Sequence, residues 1–209
     1  MTDEVLAPAG VPRILAIDPD DHDDILDVVG VGEAPDPAEL ARAWGVDSLP
    51  VTEVTDDALL AFNDPAARAA GHPAGGGIAT AADLARWYQA LLHDDGTIVP
   101  AALRADVFEI IRQDHPDWLG VEAHRTYAFV LAGDDGKATL RGHGHGSSPA
   151  AFGHGGAKGQ KAWADPATGL SFAYLTNGLE RDDLVHARRG VALSSLAAAL
   201  TRPPGDEPR

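Results

Sequence analysis

The pattern of apolar and polar positions predicts a group of helices, then a late antiparallel sheet and a closing helix. Its sharpest signal lies at residues 81–93, where apolar side chains recur at helical spacing: Leu84, Trp87, Tyr88, Leu91 and Leu92. Thr80 and Asp83 form an N-terminal capping pattern there, and Gly96 stands where the helix would close. The spacing therefore predicts a helix with one buried face.

Weaker patterns predict the remaining elements. Further helices are expected at residues 37–44, 56–62, 100–112 and 183–200. Strands are expected at 127–132, 162–164 and 171–176, the last two being joined by a turn at 165–169 that contains Pro and Gly. This order indicates an α+β fold, with residues 1–201 as one folded unit and 202–209 as a disordered tail.

Composition restricts the partners. The 209 residues carry a formal net charge of −16, which argues against nucleic acid or an anionic membrane, because both require clustered Lys and Arg. The chain has no cysteine and no apolar run of membrane-spanning length, and it begins without a secretion signal, so a cytoplasmic location is expected. The aspartate-rich segment at 18–27 lacks the central glycine of a calcium loop and is expected to be solvated.

A His-Gly-Gly sequence at the mouth of the predicted hairpin is the strongest candidate for a site. Gly155 and Gly156 would let the backbone approach an acyl group, and the N–H of Ala157 could donate to an oxyanion. His154 could hydrogen-bond a substrate carboxylate or assist proton transfer. A purely structural reading stays open, in which the glycines turn the chain and His154 caps a strand.

Two alternative chemistries involve neighbouring residues. His143, His145 and His154 are close enough in sequence to suggest a zinc site, although no convincing fourth ligand lies nearby. Ser147 and Ser148 are the serines nearest to these histidines, and they lack the Gly-x-Ser-x-Gly elbow of a hydrolase nucleophile.

Two segments resemble the serine beta-lactamase-related family, which includes class C-like beta-lactamases, penicillin-binding-protein-like enzymes and esterases. They are PAGGGIATAADLARWYQALL at 73–92 and FGHGGAKGQKAWADPATGLSFAYLTNGL at 152–179. The His-Gly-Gly is similar to the esterase-like members, where it replaces Lys-Thr-Gly. The resemblance runs through roughly residues 1–200 and implies the C-terminal part of a beta-lactamase/transpeptidase-like fold.

The resemblance also implies a reaction, hydrolysis of a small-molecule ester or amide by acyl transfer. In the family, Ser-x-x-Lys supplies the nucleophile and its base partner, and Tyr-x-Asn supplies a tyrosine that moves the proton. No serine here is followed by lysine at the third position, and Tyr88, Tyr127 and Tyr174 are not followed by Asn at the second. Neither motif is therefore present in this sequence.

Only the third motif, which lines the opposite edge strand in the family, has a match. It falls on His154, Gly155, Gly156 and Ala157, so the resemblance implies a substrate-binding wall without a catalytic residue, a cofactor or a metal. We expect the chain to be inactive alone, its nucleophile lying on a missing N-terminal half or a partner chain. The alternatives are a non-catalytic binding or accessory domain with the same pocket, and a metal-dependent hydrolase that uses the histidines.

Overall fold

The computed structural model describes residues 1–50 and 54–201, so the tail predicted at 202–209 lies outside the described residues. The α-helices are α1 (Pro37–Trp44), α2 (Asp56–Leu60), α3 (Pro65–Ala70), α4 (Ala81–Leu92), α5 (Arg104–Phe108) and α6 (Asp183–Ala199). The strands are β1 (Val29–Val31), β2 (Val130–Leu131), β3 (Phe152–Gly155), β4 (Lys161–Asp165), β5 (Leu170–Tyr174) and β6 (Gly178–Glu180). Single helical turns lie at Thr2–Leu6, Pro19–Asp21, Ala61–Asn63, Ala101–Leu103 and Ala157–Gly159.

An antiparallel sheet with the order β2-β3-β4-β5 forms the centre of the molecule. Strands β3 and β4 pair from Phe152↔Ala164 to Gly155↔Lys161. The hairpin turn between β4 and β5 closes where the carbonyl of Asp165 accepts the N–H of Gly169 at 2.9 Å. The predicted antiparallel hairpin is therefore present, and a third strand, β3, brings the His-Gly-Gly segment beside it.

Helices cover both faces of this sheet. On one face, Tyr88 and Leu91 of α4 are buried against Phe152 of β3. On the other face, Trp163 of β4 packs against Ala197 and Ala198 of α6. Because successive strand residues point to opposite faces, Phe152 and Trp163 fill separate cores, and burial of such aromatic side chains contributes a large share of the folding free energy.

The beginning of the chain packs onto the same side as α4. Leu6, Ala9 and Val11 are buried and contact Trp87, whose ring lies on the face of α4 predicted to be apolar. Among the described residues, no helix combines the length and apolar character needed to cross a membrane.

Several predicted elements have the expected bounds. Helix α1 begins and ends where the sequence predicts, with the Asp36 carboxylate accepting the N–H of Ala38 at 2.7 Å as an N-terminal cap. Thr80 caps α4 in the same way, because its hydroxyl oxygen accepts the N–H of Asp83 at 3.1 Å.

The helix predicted over 100–112 is too long. Helix α5 ends at Phe108, and the N–H groups of Arg112 and Gln113 instead donate to the carbonyl of Arg125 at 2.7 and 3.1 Å. The backbone after α5 is thus used for cross-chain pairing, which a helical-period pattern does not reveal.

The strand predicted over 127–132 is likewise reduced to Val130 and Leu131. The hydroxyl of Thr126 accepts the N–H groups of Ala128 and Phe129 at 3.2 and 2.9 Å, which turns the chain before the strand. The parallel pair of β1 with β6 was not predicted from the sequence, since each strand has only three residues.

Candidate functional site

Strand β3 changes its surroundings half-way along its length. Phe152 and Gly153 pair with β2 on one side and with β4 on the other. His154 and Gly155 pair with β4 only, so within the described part of the chain their other edge is open. The predicted His-Gly-Gly segment therefore begins where the sheet edge becomes accessible.

His154 is held in one orientation by two hydrogen bonds. The Arg125 guanidinium donates to Nε2 at 3.0 Å, so Nε2 is the acceptor and Nδ1 carries the hydrogen that reaches the carbonyl of Gly155 at 2.6 Å. Partial burial lowers the pKa of His154, and the positive charge of Arg125 lowers this pKa further. The site therefore presents a neutral imidazole beside a guanidinium.

Tyr88 of α4 packs against strand β3. Its side chain is buried in α4, and the backbone of His154 is close enough to influence its pKa. Burial raises the pKa of Tyr88 strongly, and the backbone of His154 offsets only part of that rise. The hydroxyl is therefore neutral and suited to positioning β3, rather than to taking a proton.

The turn after His-Gly-Gly is closed by backbone and side-chain bonds. The N–H of Gly156 donates to the carbonyl of Gln160 at 2.9 Å. The Gln160 amide then bonds both backbone groups of Thr176, donating at 3.0 Å and accepting at 2.8 Å. Ala157 begins the single helical turn between them. All four residues of the predicted wall are consequently contiguous at one end of the sheet.

This turn lies against the N-terminal end of α6. Gly159 has φ +102, and a Cβ there would stand 2.8 Å from Cβ of His186, so the close approach requires glycine. His186 bonds Asp183 at 2.9 Å, and Nζ of Lys158 lies 4.0 Å from the same carboxylate.

A cavity of ≈ 380 Å³ opens beside the turn, between α1 and the start of α6. Charged side chains line it on the α6 side, and its other side is mixed, with apolar residues beside Asp47 and Asp56. The charged residues on the α6 side include Lys158, Arg181 and Asp183, and the apolar residues include Pro37, Leu40 and Leu49.

The three histidines considered for zinc have different surroundings. His143 is buried and donates its Nε2–H to the carbonyl of Val130 at 3.1 Å, and burial lowers its pKa to about 4. His154 bonds Arg125, and the backbone N–H of His145 donates to the Ser195 hydroxyl at 3.0 Å. Within residues 1–50 and 54–201, no group of three or more His, Cys, Asp or Glu residues could hold a metal ion.

The two serines near the site stabilise loops. Ser148 donates its N–H and its hydroxyl to the buried Asp165 carboxylate at 2.8 and 2.6 Å. The Ser147 hydroxyl oxygen accepts the N–H of Gly144 at 3.1 Å. Neither serine is bonded to a histidine that could act as its base, so the arrangement is not that of an activated nucleophile.

Two residues that shape the site were missed in the sequence. Arg125 stands 29 positions before His154, and no periodicity or motif marks it. Gln160 lies inside the quoted motif, but its role depends on Thr176, which lies in the connection between β5 and β6. A polar residue directly after a glycine turn was the only available signal.

Comparisons with known proteins agree with this geometry. The family model described as Beta-lactamase matches residues 1–196. This chain belongs to the beta-lactamase family. The match confirms the resemblance predicted from residues 73–92 and 152–179, in a serine beta-lactamase and penicillin-binding-protein-like family.

One solved structure similar to this beta-lactamase-family chain is the crystal structure of a novel penicillin-binding protein homolog from Caulobacter crescentus. The TM-score is 0.55 at 22% sequence identity, and the match covers 91% of this chain and 50% of that one. The likeness confirms the predicted α+β, transpeptidase-like fold, and the chain spans half the length of the homolog. None of the curated proteins matches this sequence.

Proposed function

We propose that this chain supplies the substrate-binding wall of a serine hydrolase site that cleaves a small-molecule ester or amide by acyl transfer. The wall consists of His154, Gly155, Gly156 and Ala157. Membership of the beta-lactamase family supports the reaction class, and the open half of β3 supports the location of the wall.

The observation that carries this proposal is the fixed, neutral imidazole of His154 at the open edge. Both ring nitrogens are already engaged, Nε2 by Arg125 and Nδ1 by the Gly155 carbonyl, so the ring shapes the wall without burying a second charge beside Arg125. Gly155 and Gly156 carry no side chains, so an acyl group can approach the backbone closely. We assign the N–H of Ala157 as a donor to the oxyanion that forms during acyl transfer.

The nucleophile is proposed to come from a segment that carries Ser-x-x-Lys and Tyr-x-Asn, either elsewhere in a longer chain or on a partner chain. Neither motif occurs in these 209 residues. Ser147 and Ser148 are engaged with Gly144 and Asp165. These residues alone are therefore expected to be catalytically silent.

A non-catalytic binding domain with the same wall is the second candidate, favoured by the absence of both motifs from the sequence. The two candidates differ in what happens once a nucleophile is supplied. A wall that serves catalysis supports turnover in that case, and a binding domain does not. The described residues do not favour the metal-dependent alternative, because His143 and His154 are bonded to different partners.

The first test is the intact mass of the folded chain after incubation with a fluorophosphonate, together with hydrolysis of p-nitrophenyl acetate. We expect no adduct, and hydrolysis at the background rate. A single adduct on Ser147 or Ser148, lost on substitution of that serine by Ala, would contradict the proposal that the nucleophile lies outside these residues.

A further inference from the structure

Lys161 occupies a space formed by glycines behind the His-Gly-Gly wall. It is the first residue of β4 and the cross-strand partner of Gly155, so both lie on the face of the sheet that α6 covers. A Cβ built on Gly155 would stand 3.0 Å from Lys161 Nζ, and one on Gly142 would stand 3.3 Å from it. A Cβ on Gly190 of α6 would stand 2.8 Å from Lys161 Cε.

The ammonium group of Lys161 has no partner among the described residues, since neither a hydrogen bond nor an ion pair connects it to them. Lys137, in contrast, is bonded to Glu122 at 2.8 Å, and Lys158 lies 4.0 Å from Asp183. The three are the only lysines of the chain. A half-buried cation without a counter-charge is costly, and this one occurs in a protein of net charge −16.

Burial also changes how easily this amine loses its proton. Desolvation lowers the pKa of Lys161, whereas the hydrogen bond that Lys137 donates to Glu122 raises the pKa of Lys137. At a given pH the neutral, nucleophilic form is therefore more populated at Lys161 than at Lys137.

We propose that Lys161 is an acylation site that accepts a small acyl group from an activated donor, an acyl phosphate or a thioester. Its Nζ attacks the carbonyl carbon, so that a C–N bond forms while the C–O or C–S bond to the leaving group breaks. The phosphate or thiolate departs with the electron pair, and the amine proton passes to solvent. The product is a neutral amide, which removes the uncompensated charge.

The surroundings determine which donor fits. The backbone at Gly142, Gly155 and Gly190 bounds the amine closely, so the proposal is limited to a small acyl group such as acetyl. No acidic side chain influences the pKa of Lys161, so an anionic acyl phosphate approaches the amine without local repulsion.

Acylation of Lys161 should change the pKa of His154 in the substrate-binding wall. The positive charge of Lys161 is one of the causes that lower the pKa of His154. Conversion to an amide removes that charge, so the pKa of His154 should rise in the acylated chain. This provides a second readout that is independent of the labelling itself.

The test is a competition among the three lysines of the folded chain. The protein is incubated with acetyl phosphate at neutral pH, then unfolded and fully acetylated with isotopically heavy acetic anhydride. Digestion at arginine leaves Lys158 and Lys161 on one peptide, where fragmentation separates them, and Lys137 on another. We expect Lys161 to be labelled several-fold faster than Lys137 and Lys158, and this ratio to fall to about one in concentrated urea.

Three results would overturn the proposal. These are labelling of Lys161 no faster than that of Lys158 in the folded chain, a preference that persists in urea, and a pKa of His154 that stays unchanged on acetylation. Lys161→Arg, which keeps the charge, serves as the assignment control and should abolish the fast label. If that variant is unstable, the rates at which acetyl phosphate and a bulky acyl phosphate label Lys161 are compared in the wild-type chain instead. Equal rates for the two donors would also contradict the proposal.

Discussion

The two halves of strand β3 are adjacent in sequence, yet they are held by different forces. Phe152 and Gly153 are buried, paired on both sides and packed in an aromatic cluster with ring centroids 4.9 Å from Phe108 and 5.0 Å from Phe129. His154 and Gly155 have one strand neighbour, and Arg125 holds the partly exposed imidazole. Stability therefore resides mainly in the first half and site geometry in the second, so substitutions should separate the two.

The largest loss of stability is expected when the aromatic side chain in the buried half of β3 is truncated. Phe152→Ala removes a ring that contacts Tyr88, Phe108 and Phe129, and the free energy of unfolding should fall by about 3–5 kcal/mol. Urea titration followed by circular dichroism measures this loss. Tyr127→Ala is the matched control, since that ring is 69% exposed; equal losses for both variants would refute the packing argument.

Acid should weaken the packing beside the buried half by a similar amount, through His143, which bonds Val130, the β2 residue that pairs with Gly153. The pKa of the buried His143 is lowered from 6.5 to about 4, so below 6.5 the unfolded state binds a proton that the folded state does not. Its stabilising contribution is present above 6.5 and is lost as the pH falls towards 4, by about 3 kcal/mol in total. Urea titrations across this range should show the loss, and His143→Gln should flatten the slope; an unchanged slope would argue against His143 as its source.

A pair of glycine substitutions compares the two halves at the same face of the strand. A Cβ on Gly153 would stand 2.4 Å from the carbonyl of Ala162, whereas one on Gly155 would meet the movable end of Lys161 at 3.0 Å. Gly153→Ala should therefore lower the free energy of unfolding by about 1–3 kcal/mol, and Gly155→Ala by less than about 1 kcal/mol. Thermal unfolding of both variants decides the order, and the reverse order would contradict the comparison.

The smallest effect on stability is expected in the exposed half. Arg125→Met removes the charge that helps to lower the pKa of His154, so this pKa should rise, while stability changes by less than about 1 kcal/mol. Titration of the imidazole by NMR measures the shift. Arg42→Met is the control, because Arg42 lies on exposed α1; a pKa of His154 that responds equally to both variants would exclude a local contact.

The same division explains which features could be predicted from the sequence. Helix α4 and the hairpin of β4 and β5 follow from apolar periodicity and turn residues, which are local properties. The wall residues were found because His154, Gly155 and Gly156 form a contiguous motif. In the structure His154 and Gly155 lie in the half of β3 that has one strand neighbour, and Gly156 follows directly after it; the role of these residues in binding stays a prediction.

The contacts that the sequence did not predict have a different physical origin. Arg125 reaches His154 only because residues 112–113 pair with Arg125 in place of continuing α5. The pairing of β1 with β6 joins segments roughly 150 residues apart, and nothing in either three-residue segment marks its partner. Contacts of this kind depend on the whole fold, which no local pattern encodes.

The most direct test supplies the nucleophile. A segment with Ser-x-x-Lys and Tyr-x-Asn from an active esterase of the family is joined ahead of these residues, and labelling with a fluorophosphonate selects chimeras whose serine is reactive. Such a chimera should hydrolyse p-nitrophenyl acetate, and His154→Ala should slow it by on the order of tenfold or more, while the exposed control His115→Ala should not. A folded, labelled chimera with equal turnover in all three forms would contradict the assignment of His154 to the substrate-binding wall.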